Sequence, residues 1–286
     1  MPTLALRTKS EELCFLDKQA VMNIQKYETL ALEPVGEHVL VVTLNRPEVL
    51  NAINTQMGRD MLDLWTRLTA EPGELRCAVL TGAGERAFCA GGDLKERDGM
   101  TDDAWRAQHE IFERAFMALM ECTVPVIAAV NGHAYGGGLE TALGCDFIYA
   151  SRSARFALSE TRLGIMPGGG GTQNLARAVG ERRAKELILS ARAFTADEGY
   201  TWGLINRVCE PDKLRSEAIA SAAAIAENAP LSVRQAKKSI HYGLQMDLLS
   251  GYRFEIEAYN RLVTTEDRHE GVRAFNEKRK PRFRGR

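Results

Sequence analysis

The stretch NGHAYGGGLE, Asn131 to Glu140, follows directly on the apolar run Val124 to Val130 and leads into Ala142 and Leu143. Residues of these types predict a strand, a loop, three glycines and then a helix, because apolar runs bounded by turn residues read as strands and glycine supplies the turn. Cys77 to Leu80 has the same plan, running into Thr81-Gly82-Ala83-Gly84 and reaching Ala90-Gly91-Gly92-Asp93. A third copy is offered by Phe147 to Ala150 and Arg155 to Leu158, followed by Gly168 to Gly171 and a helix through Arg177. Consecutive turns of such a repeating α/β architecture would set the first two glycine clusters side by side.

Outward from this centre the signals are those of a packed globule. Val39 to Leu44 is a continuous apolar run closed by Asn45-Arg46-Pro47, which reads as a strand buried on both faces. Met57, Met61, Leu64, Trp65 and Leu68 then fall on one helical face, with Asn54 or Thr55 as cap and Pro72-Gly73 as the stop. Beyond about residue 210 glycine thins out and helical periods dominate. Leu214, Ala218, Ile219, Ala222, Ile225 and Ala226 make one stripe, Pro230 interrupts, and helices follow over 231–243, 248–263 and 266–277. This helical region has little room for its own core, so it should pack on the first part or on another subunit. The expected organisation is an extension over residues 1–27, a core over 28–210 and a helical end region over 211–286.

Composition limits the function classes. Lys and Arg number 37 against 38 Asp and Glu, a formal net charge of −1, so no global field draws the chain to nucleic acid or an anionic membrane. The six cysteines are scattered, with no CxxC pair and no histidine at metal-ligand spacing, which argues for a reducing compartment and against a structural metal. No apolar run is long enough to span a bilayer, and the first 25 residues lack the pattern of a signal or transit peptide. A cytoplasmic location is expected.

The glycine clusters carry the candidate chemistry. Two backbone N–H groups converging from separate loops can hold an oxygen that becomes negative during a reaction, and a helix starting near Gly138 adds the positive end of its dipole. The bland alternative is glycine serving tight turns and close packing. Phosphate loops fit poorly: no cluster has the GxxxxGK[ST] form, and the dinucleotide fingerprint is missing after the first strand. Glu140 and Glu160 are the candidate acid/base groups, each in apolar, Gly-rich surroundings that should raise a carboxyl pKa. No GxSxG elbow or Cys–His pair offers a nucleophile. His133 lies nearest the glycine loop and could line a pocket. The cluster Lys278 to Arg286 reads most simply as a solvated tail, with phosphate contact or weak RNA binding as its functional readings.

The run IAAVNGHAYGGGLETALGCDF, with NRPEVLNAI (45–53), AFCAGGDLKE (87–96) and FALSETRLGIMPGGGGTQ (156–173), resembles the enoyl-CoA hydratase/isomerase (crotonase) family from about residue 28 to the C-terminus. The resemblance implies a β-β-α spiral core with a helical C-terminal region, assembled as homotrimers or paired trimers. It makes the N–H groups of Gly92 and Gly137 the donors to an acyl-CoA thioester oxygen. Gly92 stands where many relatives have alanine, which leaves that donor in place. It matches Glu140 and Glu160 to the two catalytic acids of hydratases, and Gly168 to a backbone position that helps hold the catalytic water. Ala90, Asp93, Leu94 and Lys95 match places on the CoA side, Val49 and Leu50 lie near the pantetheine channel, and Phe275 and Lys278 close the CoA site, often from a neighbouring subunit.

Retention of both acids points to hydration of a 2-enoyl-CoA to a 3-hydroxyacyl-CoA, with no metal or cofactor beyond coenzyme A as part of the substrate. GGDLKERDGM and PGGGGTQ also look similar to branched-chain, methylglutaconyl-CoA-type hydratases. An enoyl-CoA isomerase or a carnitinyl-CoA-type dehydratase is a weaker match, and an RNA-binding protein that merely keeps the fold is weaker still. Acyl-chain specificity is expected to lie in walls such as Leu94 to Ile111.

Overall fold

The run Val39–Leu44 is a strand with both faces covered, and what covers each face defines the architecture. Leu40, Val42 and Leu44 point into the main core, whereas Val39 and Val41 point the other way, against the helix Leu214–Ala226. Alternation of side chains along a strand makes the two sets face apart, which is why the whole run had to be apolar. Ala218, Ala222 and Ala226 lie four residues apart on the helix side of this second cluster, and their small side chains let the helix sit close on the sheet. Each buried Val or Leu here contributes about 1.5–3 kcal/mol relative to exposure. The start of the helical region therefore packs on the core of the same chain.

The computed structural model describes residues 25–286, so nearly all of the expected N-terminal extension lies outside the described residues. The strands are β1 (Leu30–Val35), β2 (Val39–Leu44), β3 (Cys77–Gly82), β4 (Ala87–Cys89), β5 (Val126–Val130), β6 (His133–Tyr135), β7 (Phe147–Ser151), β8 (Arg155–Ala157), β9 (Phe194–Thr195) and β10 (Arg207–Cys209). They form one sheet in the order β1-β2-β3-β5-β7-β10 and a smaller one in the order β4-β6-β8-β9. Pairing is parallel except for β1 with β2 and β8 with β9. Each turn of the chain adds one strand to the large sheet, one to the small sheet, and then helix: β3 and β4, β5 and β6, β7 and β8 repeat that step. This is the crotonase-type β-β-α spiral, and all three glycine-bearing segments take part in it.

Several boundaries differ from those read from the residues. The strand expected from Val124 starts at Val126, because Pro125 has no N–H and instead accepts from Ala78 through its carbonyl. The break expected at Pro230 falls just before it, and Pro230 opens the helix Pro230–Gly243 one residue ahead of the expected start, at a first-turn position where a missing N–H costs nothing. The helix expected to reach residue 263 ends at Asn260. Asn54 is the cap of the helix Thr55–Ala70, accepting from the Met57 N–H at 2.9 Å.

The basic end segment is not a free solvated tail. Buried Asp267, in the helix Glu266–Asn276, accepts from the backbone N–H groups of Arg284 (2.6 Å) and Gly285 (2.8 Å). Arg279 is paired with Glu270 and Glu277, and Arg286 with Glu266. A carboxylate at the start of a helix thus folds the last residues back onto it. Among the described residues no helix is long and apolar enough to cross a membrane.

Candidate active site

The parallel geometry of the small sheet brings the two glycine clusters together. β4 pairs with β6, so the loops that follow them emerge side by side. A Cβ at Gly91 would lie 2.7 Å from the Tyr135 carbonyl and 3.3 Å from the Gly137 nitrogen, and Gly91 has a φ of +94°. A Cβ at Gly138 would lie 2.1 Å from the Cys89 carbonyl oxygen, so the helix Gly137–Gly144 can approach β4 only because this residue has none. The need for glycine is strict at these neighbours. At Gly92 and Gly137 the nearest atoms to an added Cβ would be the Arg97 side chain at 3.3 Å and Ile53 Cδ1 at 3.4 Å.

Ile53 holds the first loop in place. Its N–H donates to the Gly91 carbonyl at 2.7 Å, and its carbonyl accepts from the Asp93 N–H at 2.9 Å. In extended backbone the residue between them aims its own N–H to the opposite side, so the Gly92 N–H is not spent on this pairing. Gly137 opens its helix, so its N–H is one of the orphan donors at a helix start. Both residues line one cavity of about 570 Å³.

Glu140 and Glu160 line the same cavity. Glu140, on the first turn of the helix, is 4% exposed, and its Oε1 accepts from the Gly169 N–H at 2.7 Å and the Gly171 N–H at 2.8 Å. Burial raises its pKa above the ordinary carboxylate value, against the pull of those two donors. Glu160, at the start of the short turn Glu160–Leu163, is 9% exposed, and neither of its buried oxygens accepts a hydrogen bond from another residue. Burial pushes its pKa up to about 7, and the negative charge of Glu140 adds to the rise. Two nearby acids, one anchored by backbone donors and one bare, can divide the giving and taking of protons.

The remaining walls come from the helices after β4 and the loop after β8: Trp105, His109, Phe112 and Phe116 on one side, Leu163 and Ile165 to Gly169 on the other. Gly168 lies here, so close to His109 that a Cβ would be 2.6 Å from the ring. Ala90 and Leu94 also line the cavity. Val49, Leu50, Asp93, Lys95, Phe275 and Lys278 are not among the lining residues. Asp93 instead caps the short helix Leu94–Arg97 and pairs with Arg46 at 2.9 Å. Phe275 is 83% exposed at the end of its helix. His133 does not line the cavity either; it stacks on Tyr135, and the histidine that does line it is His109. His109 and Arg97 were not singled out from the residues, although both fall within the stretch 94–111 expected to form acyl walls.

A family model described as enoyl-CoA hydratase/isomerase matches residues 35–286. The chain belongs to this family. It is 43% identical over 249 residues to a short-chain-enoyl-CoA hydratase of Clostridium acetobutylicum, covering 87% of this chain and 95% of that one. It is 40% identical over 251 residues to an (E)-benzylidenesuccinyl-CoA hydratase of Thauera aromatica, covering 88% and 97%. Among solved structures, an enoyl-CoA hydratase from Bacillus anthracis superposes with a TM-score of 0.88 at 41% identity, covering 91% of this chain and all of that one. The family's spiral core is therefore present in nearly full length.

Proposed function

We propose that this enzyme is an enoyl-CoA hydratase, adding water across the C2=C3 bond of a 2-enoyl-CoA to give a 3-hydroxyacyl-CoA. The observation that carries the reading is the pair of buried acids, Glu140 and Glu160, on one cavity with Gly92 and Gly137. The N–H groups of Gly92 and Gly137 would receive the thioester oxygen, drawing electron density from C3 and stabilising the enolate as it forms. Glu140, its Oε1 fixed by Gly169 and Gly171, keeps its other carboxylate oxygen to orient water and take its proton as the oxygen attacks C3. Glu160, poised near neutrality, delivers a proton to C2. One proton leaves water and one reaches carbon, so the sum is addition of water with no redox change. Gly168 fits a role beside that water.

Coenzyme A would enter past Ala90 and Leu94, with Val49, Leu50, Asp93 and Lys95 on the outer approach. Phe275 and Lys278 would serve a neighbouring subunit in a homotrimer or paired trimers. Support for assembly comes from Ile240, Leu244, Leu248, Leu249 and Tyr252, which are large, apolar and exposed in the single chain. The free cysteines Cys77, Cys89, Cys122, Cys145 and Cys209 fit a cytoplasmic location. The test is loss of the conjugated enoyl-thioester absorbance with crotonyl-CoA in the native enzyme and in Glu140→Gln. Native decay that the variant loses supports hydration; no decay with any enoyl-CoA refutes it.

A further inference from the structure

Arg97 is the only lysine or arginine among the described residues that line the cavity holding Glu140 and Glu160. Its guanidinium carbon lies 4.2 Å from the centre of the Trp105 ring and 5.4 Å from that of Phe112, so it is stacked on the aromatic wall. Its Nε donates to Gln108 Oε1 at 2.8 Å. Gln108 is itself buried, and its Nε2 donates to Thr55 Oγ1 at 2.8 Å and Glu96 Oε2 at 2.7 Å. The arginine is thereby held in one orientation from its inner edge.

Its outer edge is unspent. Among the described residues neither Nη1 nor Nη2 donates a side-chain hydrogen bond, and no carboxylate forms an ion pair with Arg97. Glu96 acts on it through space, but Glu96 Oε2 is already engaged by Gln108 and by the Thr55 N–H at 2.9 Å. Burial lowers the pKa of Arg97 without neutralising so strong a base. A partly desolvated guanidinium whose fork engages no carboxylate directly gains from an arriving anion that both of its outer N–H groups can reach. Nη1 would lie 3.3 Å from a Cβ on Gly92, so the fork sits beside the loop proposed to hold the thioester oxygen.

We infer that the acyl group carries a second, ionised carboxylate, which the Nη1–Nη2 edge of Arg97 binds as a fork. The substrate class is then the monothioester of a short unsaturated dicarboxylic acid rather than a plain alkenoyl-CoA. A planar guanidinium matches both oxygens of a carboxylate, and its stacking on Trp105 leaves little orientational freedom to be lost on binding. The position beside Gly92 sets the second carboxylate a few bonds from the thioester. Arg97 is a specificity residue here, separate from the proton-transferring acids. This inference rests on the reading of the cavity as the acyl-CoA site.

The test compares two saturated thioesters that cannot be hydrated, glutaryl-CoA and butyryl-CoA, by calorimetric titration of the full-length protein. The native chain should favour glutaryl-CoA by about 10- to 100-fold, the range for a charge-assisted fork. Arg97→Met should erase that preference, and Arg97→Lys should keep part of it, which also covers the case of a Met variant that fails to fold. Native preference for butyryl-CoA, or equal weakening of both ligands and of free coenzyme A in Arg97→Met, would overturn the inference; the latter would assign Arg97 to the CoA phosphates. Binding is scored without turnover, so a carboxylate preference in a protein that hydrates neither glutaconyl-CoA nor crotonyl-CoA would sustain this inference while removing the hydratase reading.

Discussion

Glu160→Gln should stabilise the protein at pH 8 far more than at pH 5 while removing most of its activity. The carboxyl of Glu160 is buried, neither oxygen accepts a hydrogen bond from another residue, and its pKa is pushed from the ordinary 4.5 to about 7. A carboxyl whose folded-state pKa lies above its unfolded value binds an extra proton in the fold between those two values. Stability therefore falls as pH rises through that window, with no cost below about 4.5 and the full cost above about 7. At 1.36 kcal/mol for each tenfold change in proton affinity, the full cost is roughly 3 kcal/mol. Part of it is already present at pH 5, and partial solvent access trims the rest, which leaves about 2 kcal/mol between pH 5 and pH 8. Glutamine carries no charge to desolvate. The melting temperature of the variant relative to the native protein should therefore rise by roughly 4–8 °C more at pH 8 than at pH 5, at matched protein concentration. Turnover of the preferred enoyl-CoA should fall by about 10²- to 10⁴-fold, the usual contribution of a positioned acid. Equal melting shifts at the two pH values would refute the account of Glu160 as a destabilised, proton-holding acid.

Glu140→Gln should lower kcat by a similar 10²- to 10⁴-fold factor yet leave the dissociation constant for a saturated acyl-CoA within a few-fold, as read by titration, because the residues proposed to hold CoA lie elsewhere. Gly137→Pro removes one proposed oxyanion donor at a helix position that tolerates proline, so a folded protein with kcat reduced by about 10²- to 10³-fold is expected; near-native turnover would discard that assignment. Gly138→Ala forces a methyl to within 2.1 Å of the Cys89 carbonyl oxygen, and a clear drop in melting temperature together with lost turnover should follow. Asp267→Ala leaves the Arg284 and Gly285 N–H groups without their acceptor; limited trypsin digestion should then cleave the end segment much faster, with the core still resistant.

Short-range pattern was enough for the repeating strand, glycine and helix order, for the two-faced burial of Val39 to Leu44, and for placing Glu140 on the first turn after the glycines, since each depends on residues within one strand or helix of one another. Family resemblance then attached roles to Gly92, Gly137, Glu140 and Glu160. Only the tertiary structure decided which distant groups meet. Glu140 finds its donors in Gly169 and Gly171 on the next turn of the spiral, and Ile53 reaches across to pin Gly91 and Asp93. His109 rather than His133 faces the cavity, because the helix Asp102–Met120 packs over the site whereas His133 opens β6 and stacks its ring on Tyr135, two residues along the same strand. The tail read as solvated keeps most of its residues exposed but is tethered by Asp267 through the backbone N–H groups of Arg284 and Gly285, which no side-chain pattern reveals. Arg97 falls in sequence within the stretch expected to form acyl walls but has no role of its own there; its stacking on Trp105, its clamp by Gln108 and its free fork exist only once two helices meet, and a pattern along one chain carries no such geometry.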